Sequence, residues 1–497
     1  MLFTSFEFLF LFMPVTLAGF YLVGRTSHRA AALWLAIASL FFYGWWNPRF
    51  VLLLLASVAF NYSMGYLLAA RQQTPQGKLL LSLSVATNLL VLGIFKYANF
   101  FVSSVNAVTG ADWPVLNIVL PLGISFFTFT QIAFLVDVYR GIAREFNLIH
   151  YLLFVTYFPH LIAGPVLHHK QMMPQFGYAT IYRPNAQWLA LGLTYFTIGL
   201  FKKVVAADSF ADYASPVFDA VSRGADPNPV AAWIGALAYT LQLYFDFSGY
   251  SDMAIGLSAM IGVQLPLNFN SPYKARNIVD FWRRWHMTLS AFLRDYLYIA
   301  LGGNRYGTLR RYVNLMVTML LGGLWHGANW TFVIWGGLHG LFLVVNHGWS
   351  AFKERVGVGG AQSTWFGELL GGMLTFSCVV VAWIFFRAES VSAALRLIGS
   401  MFDFRGAMTS IGRAATFADF FPAMMVPPNG SVYVLSMFAI GFAAIWLSPN
   451  SQELIDRARG TIVRFKHWFI GASLFLIGLL SIVNFSRGSS EFIYFNF

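Results

Sequence analysis

The stretch Leu320-Leu321-Gly322-Gly323-Leu324-Trp325-His326-Gly327-Ala328-Asn329-Trp330 decides how this chain is read. Residues Tyr312 to Leu324 before it read as an apolar helix, and Thr331 to Val345 after it read as another. His326 therefore falls at or near the junction of two segments at membrane depth. An ionisable group in hydrocarbon is costly, so it faces a wet cavity or the protein interior and marks a functional site.

Composition places the rest of the chain around that junction. Of the 497 residues, 58% are hydrophobic and only 10% are charged, so most of the chain lies in lipid rather than around a soluble core. The 51 Phe and 16 Trp suit lipid-facing surface and interfacial belts. A formal charge of +12 would suggest nucleic acid in a soluble protein. Here the basic residues sit mainly in short loops between apolar runs, which points to membrane topology and not to nucleic acid. The single cysteine, Cys378, lies in the apolar run Met373–Phe386. It permits no intrachain disulfide and reads as an inert packing residue rather than a nucleophile.

The predicted fold class is an all-α polytopic membrane protein. The N-terminal run carries Glu7, lacks a basic flank and stays apolar through Val23, so it reads as a retained span and not a cleaved signal. Further spans are expected near 30–46, 51–70, 79–97, 116–138, 149–167, 188–206 and 230–261. Later ones are expected near 312–324, 331–345, 370–386, 432–447 and 468–483. That makes roughly a dozen segments able to cross a bilayer core. Arg25 and Arg29, then Arg71 and Lys78, then Arg140 and Arg144 mark alternate loops, which places the N-terminus outside the cytoplasm. Beyond Lys170 the alternation gives no orientation. The polar stretches 208–229 and 405–430 read equally as partner-docking surfaces or as solvated connectors. No internal repeat appears, and the whole chain reads as one membrane domain.

Residues 271–303 break the pattern. Phe281, Trp285, Leu289 and Phe292 recur at helical spacing, and Asp280 can pair with Arg284 at i,i+4, but the segment is too charged to span. An interfacial or re-entrant amphipathic helix is expected. It carries His286, with Arg283 and Arg284 beside it and Lys274 and Arg276 upstream. Two readings stand for the basic residues, phospholipid headgroup anchors or a mouth for a phosphate-bearing donor with His286 pointing inward.

Five motifs in order resemble one family, the membrane-bound O-acyltransferases. They are Pro121-Leu122-Gly123-Ile124-Ser125-Phe126-Phe127-Thr128-Phe129, Tyr157-Phe158-Pro159-His160-Leu161-Ile162-Ala163-Gly164-Pro165, Tyr244-Phe245-Asp246-Phe247-Ser248-Gly249-Tyr250-Ser251-Asp252, the Phe281–Ser290 segment and Trp325-His326-Gly327. The resemblance spans nearly the whole chain. It is strongest to the bacterial polysaccharide branch, and closer to the membrane subunit of alginate O-acetylation than to the teichoic acid D-alanylation protein. What it implies is a ring of tilted and broken helices around a central funnel, where donor and acceptor approach from opposite faces. Broken helices are tolerated at membrane depth when their free backbone groups line a wet cavity. Gly322, Gly323, Gly327, Gly336 and Gly337 suit close helix packing. By the same resemblance His326 matches the catalytic histidine and His286 the second polar position.

That chemistry suits the residue types. Acyl transfer from a thioester to a hydroxyl needs a base for the hydroxyl proton and a donor for the developing oxyanion. His326 is the expected base, and His286 is expected to hold the thioester carbonyl or tune His326. Asn329 is expected either to orient the imidazole or to cap the next helix. The resemblance makes Asp246 and Asp252 structural polar anchors lining the funnel. His339 is expected to pack against a neighbouring helix. His160, His168 and His169 read as an interfacial cluster and not as metal ligands. The ending Phe492-Ile493-Tyr494-Phe495-Asn496-Phe497 resembles a tail motif in which Tyr494 relays the acyl group, with an aromatic interfacial anchor as the plain alternative. No bound cofactor is expected. Acetyl coenzyme A or another acyl thioester serves as donor substrate, and a periplasmic acyltransferase or the polysaccharide itself as acceptor. The expected location is the bacterial cytoplasmic membrane. A polysaccharide or lipid-linked sugar transporter is the alternative, but it more typically shows repeat symmetry. A metal-dependent hydrolase would want a His-Glu-x-x-His spacing that this sequence lacks.

Overall fold

The structure is a computed structural model describing residues 1–357, 364–403, 430–487 and 492–493. Every regular element among these residues is helical. The chain forms two compact units. One comprises Met1–Phe201, Gly249–Leu267 and the described residues from Ile455 onward; the other comprises the described residues of Lys202–Ser248 and Asn268–Leu454.

By length and composition, five helices can cross a membrane: Arg49–Ala69, Pro75–Thr109, Ala186–Ser222, Trp365–Arg387 and Lys466–Arg487. Val432–Trp446 and Ser451–Arg464 pass the same test as a pair bent by 71°. Other apolar runs are shorter than the sequence pattern suggests. Residues 110–121 are irregular, so the helix expected near 116–138 runs Ile124–Tyr139. The run expected near 149–167 is helical only over Leu148–Thr156. Prolines and flexible glycines explain both cases, through Pro114, Pro121 and Gly123 (φ 71°) in the first and Pro159, Gly164 and Pro165 in the second. Conversely, the polar stretch from Asp208 is an amphipathic helix, Asp208–Ser222, burying Phe210, Ala214, Val217, Phe218 and Val221. The stretch 405–430 lies almost wholly outside the described residues.

In the first unit, small residues and buried hydrogen bonds bring helices together alongside a buried aromatic cluster that includes Phe3, Phe8, Phe42 and Phe158. A Cβ on Gly192 would stand 2.6 Å from the Gly256 carbonyl oxygen, and one on Gly199 would stand 2.5 Å from that of Gly249. These paired glycines, seven residues apart on each helix, let Ala186–Phe201 lie against the C-terminal half of Pro229–Ile261. Asn61 and Asn88 exchange carboxamide hydrogen bonds at 3.0 and 2.7 Å. Gln131 donates to Ser57 at 2.9 Å and accepts from the Tyr151 hydroxyl at 3.1 Å.

In the second unit, Gly307–His326 and Trp330–Arg355 form a tight helical hairpin. Gly323 and Gly336 set its closest approach. A Cβ on the first would lie 2.2 Å from the Phe332 carbonyl oxygen, and on the second 2.3 Å from that of Met319. Residues 271–303 do not make the single amphipathic helix expected. They fold as Pro272–Lys274, Ile278–Trp282, Met287–Phe292 and a π-helical turn Leu293–Tyr298. The break falls at His286, which has φ 43° and ψ 53°. A left-handed conformation costs a non-glycine residue about 1–2 kcal/mol. Here it is held by Asn270 N–H donating to Arg284 O and Met287 N–H donating to Asn268 O, both at 2.9 Å. Phe281, Trp285, Leu289 and Phe292 are all buried nonetheless.

Candidate active site

His326 is the last residue of its helix. Gly327 leaves the helix in an extended conformation, and Asn329 starts the next one. Because Gly323 lies one turn earlier, the hairpin contact fixes the height and heading of His326. Its imidazole is buried against Trp325, Trp335 and Phe386, with ring centroids 4.9, 5.0 and 5.1 Å away. Phe386 comes from the helix Trp365–Arg387. Aromatic rings on several sides keep the imidazole from swinging.

His286 is fully buried among Phe247, Phe269 and Trp325. Its Nδ1 lies 3.0 Å from Asn268 Oδ1. That oxygen also accepts from the Thr288 hydroxyl at 2.9 Å and the Thr288 backbone N–H at 3.4 Å. A backbone N–H only donates, so the atom facing His286 is the carboxamide oxygen and Nδ1 carries the proton. In the neutral ring Nε2 then holds the lone pair. Trp325 packs on both histidines.

The basic residues divide between two adjoining cavities. Arg276, Asp280, Arg283, Arg284, Asn346 and His347 are among the residues lining a cavity of about 490 Å³. Arg284 pairs with Asp280 at 2.8 Å, the i,i+4 contact expected from sequence, and Arg276 pairs with Glu368 at 2.7 Å. Arg283 is exposed. Lys274 lies in the neighbouring, largely apolar cavity of about 720 Å³ with Arg276, Trp365, Phe376 and Trp446, and donates to the Ser448 carbonyl at 2.7 Å.

The supporting residues take separate places. Asn329 caps its helix by accepting from Thr331 N–H at 3.1 Å, while its Nδ2 donates to the Glu389 carbonyl at 2.9 Å. Asp246 is buried in the second unit and pairs with Lys203 at 2.8 Å; Lys203 also meets Asp208 at 2.9 Å. Asp252 is buried in the first unit. His160 and His169 are buried there too, one bonded to the Phe154 carbonyl at 3.1 Å and the other 3.4 Å from Asp137. His168 forms a capping box with Gln171. Tyr494, with most of the tail 488–497, lies outside the described residues. Sequence reasoning did not single out Asn268, Trp335, Phe386 or Lys203. Only Lys203, a cation inside an apolar run, carried a signal that would have found it.

The sequence profile of the membrane-bound O-acyltransferase family matches residues 40–365, well over half of the chain. The chain belongs to the membrane-bound O-acyltransferase family. Among similar members is the peptidoglycan O-acetyltransferase of Helicobacter pylori, 39% identical over 100% of this chain and 98% of that protein. A probable alginate O-acetylase of Pseudomonas aeruginosa is 47% identical over 81% of this chain and 75% of its own length. The teichoic acid D-alanyltransferase of Streptococcus thermophilus is 29% identical over 53% of this chain and 68% of that protein. This membrane-bound O-acyltransferase is thus an acyl-transferring enzyme with several membrane-crossing helices.

Proposed function

We propose that this acyltransferase moves an acetyl group from a cytoplasmic thioester, ultimately acetyl coenzyme A, towards hydroxyls of an exported polysaccharide in the bacterial cytoplasmic membrane. The observation that carries this reading is the placement of His326, buried at a helix break beside a helix that leads to an arginine-lined cavity. The relatives named for acetylating peptidoglycan and alginate support acetyl as the group and a glycan as the destination. They point to different polymers, so the acceptor is assigned here only as a glycan hydroxyl.

In this mechanism His326 removes the hydroxyl proton as the oxygen attacks the thioester carbonyl. The tetrahedral intermediate collapses, the carbon–sulfur bond breaks, and the thiolate recovers the proton from the imidazolium. Base catalysis of this kind contributes about 10²–10⁴-fold, and alignment of both substrates supplies much of the rest. His286, oriented by Asn268, tunes His326 across Trp325. In its neutral form it presents a lone pair at Nε2, so holding the oxyanion directly would require its protonated form. Arg283, Arg284 and Arg276 receive the donor phosphates, with Lys274 at the adjoining rim. The helices surround a funnel where donor and acceptor meet from opposite faces, and the acceptor is the glycan itself or a periplasmic acyltransferase. Tyr494 is the proposed relay in the tail.

The test uses purified protein in lipid nanodiscs with acetyl-labelled coenzyme A and either alginate or peptidoglycan fragments. Label should appear as base-labile ester on a glycan, and His326→Gln should lose it by roughly 100-fold or more. Undiminished transfer by His326→Gln would contradict the mechanism.

A further inference from the structure

Helix Trp330–Arg355 carries one stripe from the neighbourhood of His326 to the arginine-lined cavity. Trp335, His339, Asn346 and Ser350 follow one another at i, i+4, i+11 and i+15, which places them on one face. Trp335 packs on His326, and Asn346 and Ser350 line the cavity. At 1.5 Å per residue, the stripe from Trp335 to Asn346 is about 16 Å long. His339 sits between them and has no part in the mechanism above.

Its surroundings are unusual for a merely packed histidine. His339 is fully buried, with Trp335, Trp282, Phe342 and Phe281 rings 4.8–6.0 Å away. Among the described residues neither of its ring nitrogens has a hydrogen-bond partner, and the same holds for the indole N–H groups of Trp282 and Trp335. A buried polar group left unmatched is costly, so such groups are seldom left without a partner. Here several such groups are gathered around one buried histidine, next to the Asp280–Arg284 turn that lines the cavity.

We propose that His339, flanked by the indole N–H groups of Trp282 and Trp335, is a positioning residue that reads the amides of an extended donor arm. The inference rests on the thioester-donor reading and adds the chemistry that recognises the arm. A neutral imidazole offers one N–H and one lone pair, the complement of a secondary amide, while each indole offers a donor to an amide carbonyl. Donor phosphates in the arginine-lined cavity and a thioester at His326 are then joined by an arm whose amides fall at His339. A site built to hydrogen-bond a ligand discriminates strongly against an analogue lacking those groups, because its own polar atoms are left unpaired.

The experiment measures binding to the full-length protein in nanodiscs by calorimetry. The probes are the 2-oxopropyl thioether of coenzyme A, which cannot transfer its group, and a counterpart in which methylenes replace both arm amides. The native protein should bind the amide-bearing probe roughly tenfold or more tightly than its counterpart. His339→Phe should lose roughly tenfold in affinity for the amide-bearing probe and change its affinity for the counterpart by less than about twofold, while His339→Gln retains most of the preference. Trp282→Phe, which keeps the ring and removes the N–H, serves as a second variant should His339→Phe fold poorly, and should show a weaker loss of the same selectivity. Equal weakening of both probes, or no change in either, overturns the assignment of His339 while leaving the donor reading intact. Failure of the native protein to bind either probe overturns both.

Discussion

Asn268 Oδ1 stands 3.0 Å from Nδ1 of His286, across 18 residues of sequence, and fixes which nitrogen of that buried ring carries the proton. The same carboxamide accepts from Thr288, so one side chain sets both the tautomer of His286 and the start of the helix that follows. Replacing Asn268 with Leu keeps the number and branching of side-chain heavy atoms and removes the acceptor. Acetyl transfer should fall roughly 5- to 150-fold, the cost of one buried hydrogen bond. His286→Gln combined with Asn268→Leu should be little worse than either alone, because the two act as a unit. Additive losses in transfer assays would separate them.

Arg283 lines the polar cavity, is exposed, and unlike Arg284 and Arg276 makes no carboxylate pair among the described residues. If it meets donor phosphate, Arg283→Gln raises KM for acetyl coenzyme A several-fold with kcat nearly unchanged. The defect should shrink as salt rises, because the native contact is itself screened. Steady-state kinetics at low and high ionic strength checks this, and an unchanged KM would leave Arg283 a headgroup anchor.

How much of this was legible beforehand follows from where the physical signals lie. His326 stood out because an ionisable residue between two apolar runs has few innocent explanations. The close approach of Gly323 and Gly336 was readable from small residues on facing helices. The break at His286 was not, because no glycine or proline marks residues 283–286 and helical periodicity runs straight through it. Asn268 and Trp335 gain their meaning from partners distant in sequence, which periodicity does not encode. The irregular stretches near 116 and 160 carried proline and glycine, but the apolar run outweighed them in the reading of spans.

Lys203 bridges Asp246 and Asp208 with its ammonium almost fully buried. Lys203→Met leaves two carboxylates without their shared cation and should destabilise the protein by about 3–5 kcal/mol. Adding Asp246→Asn and Asp208→Asn should recover much of that loss. Thermal unfolding in nanodiscs gives the comparison; no recovery would mean the lysine contributes mainly through packing.

Tyr494 offers a separate test of how the acetyl group leaves the enzyme. A relay role predicts that Tyr494→Phe abolishes ester on the polymer, since the ring is kept and only the hydroxyl is lost. An interfacial anchor predicts normal ester. Quantifying polymer-bound acetate in cells carrying each form distinguishes them.

His326 is the proposed base for acyl transfer to an envelope or exported glycan. The most direct measurement is base-labile ester on those polysaccharides in cells carrying the native chain, no chain, or His326→Ala at matched membrane abundance. Ester found only with the native chain is the predicted result, and the released acid and acylated sugar would identify both substrates. Equal ester with the native and His326→Ala chains, both above cells lacking the chain, would contradict the assignment of His326 as the base.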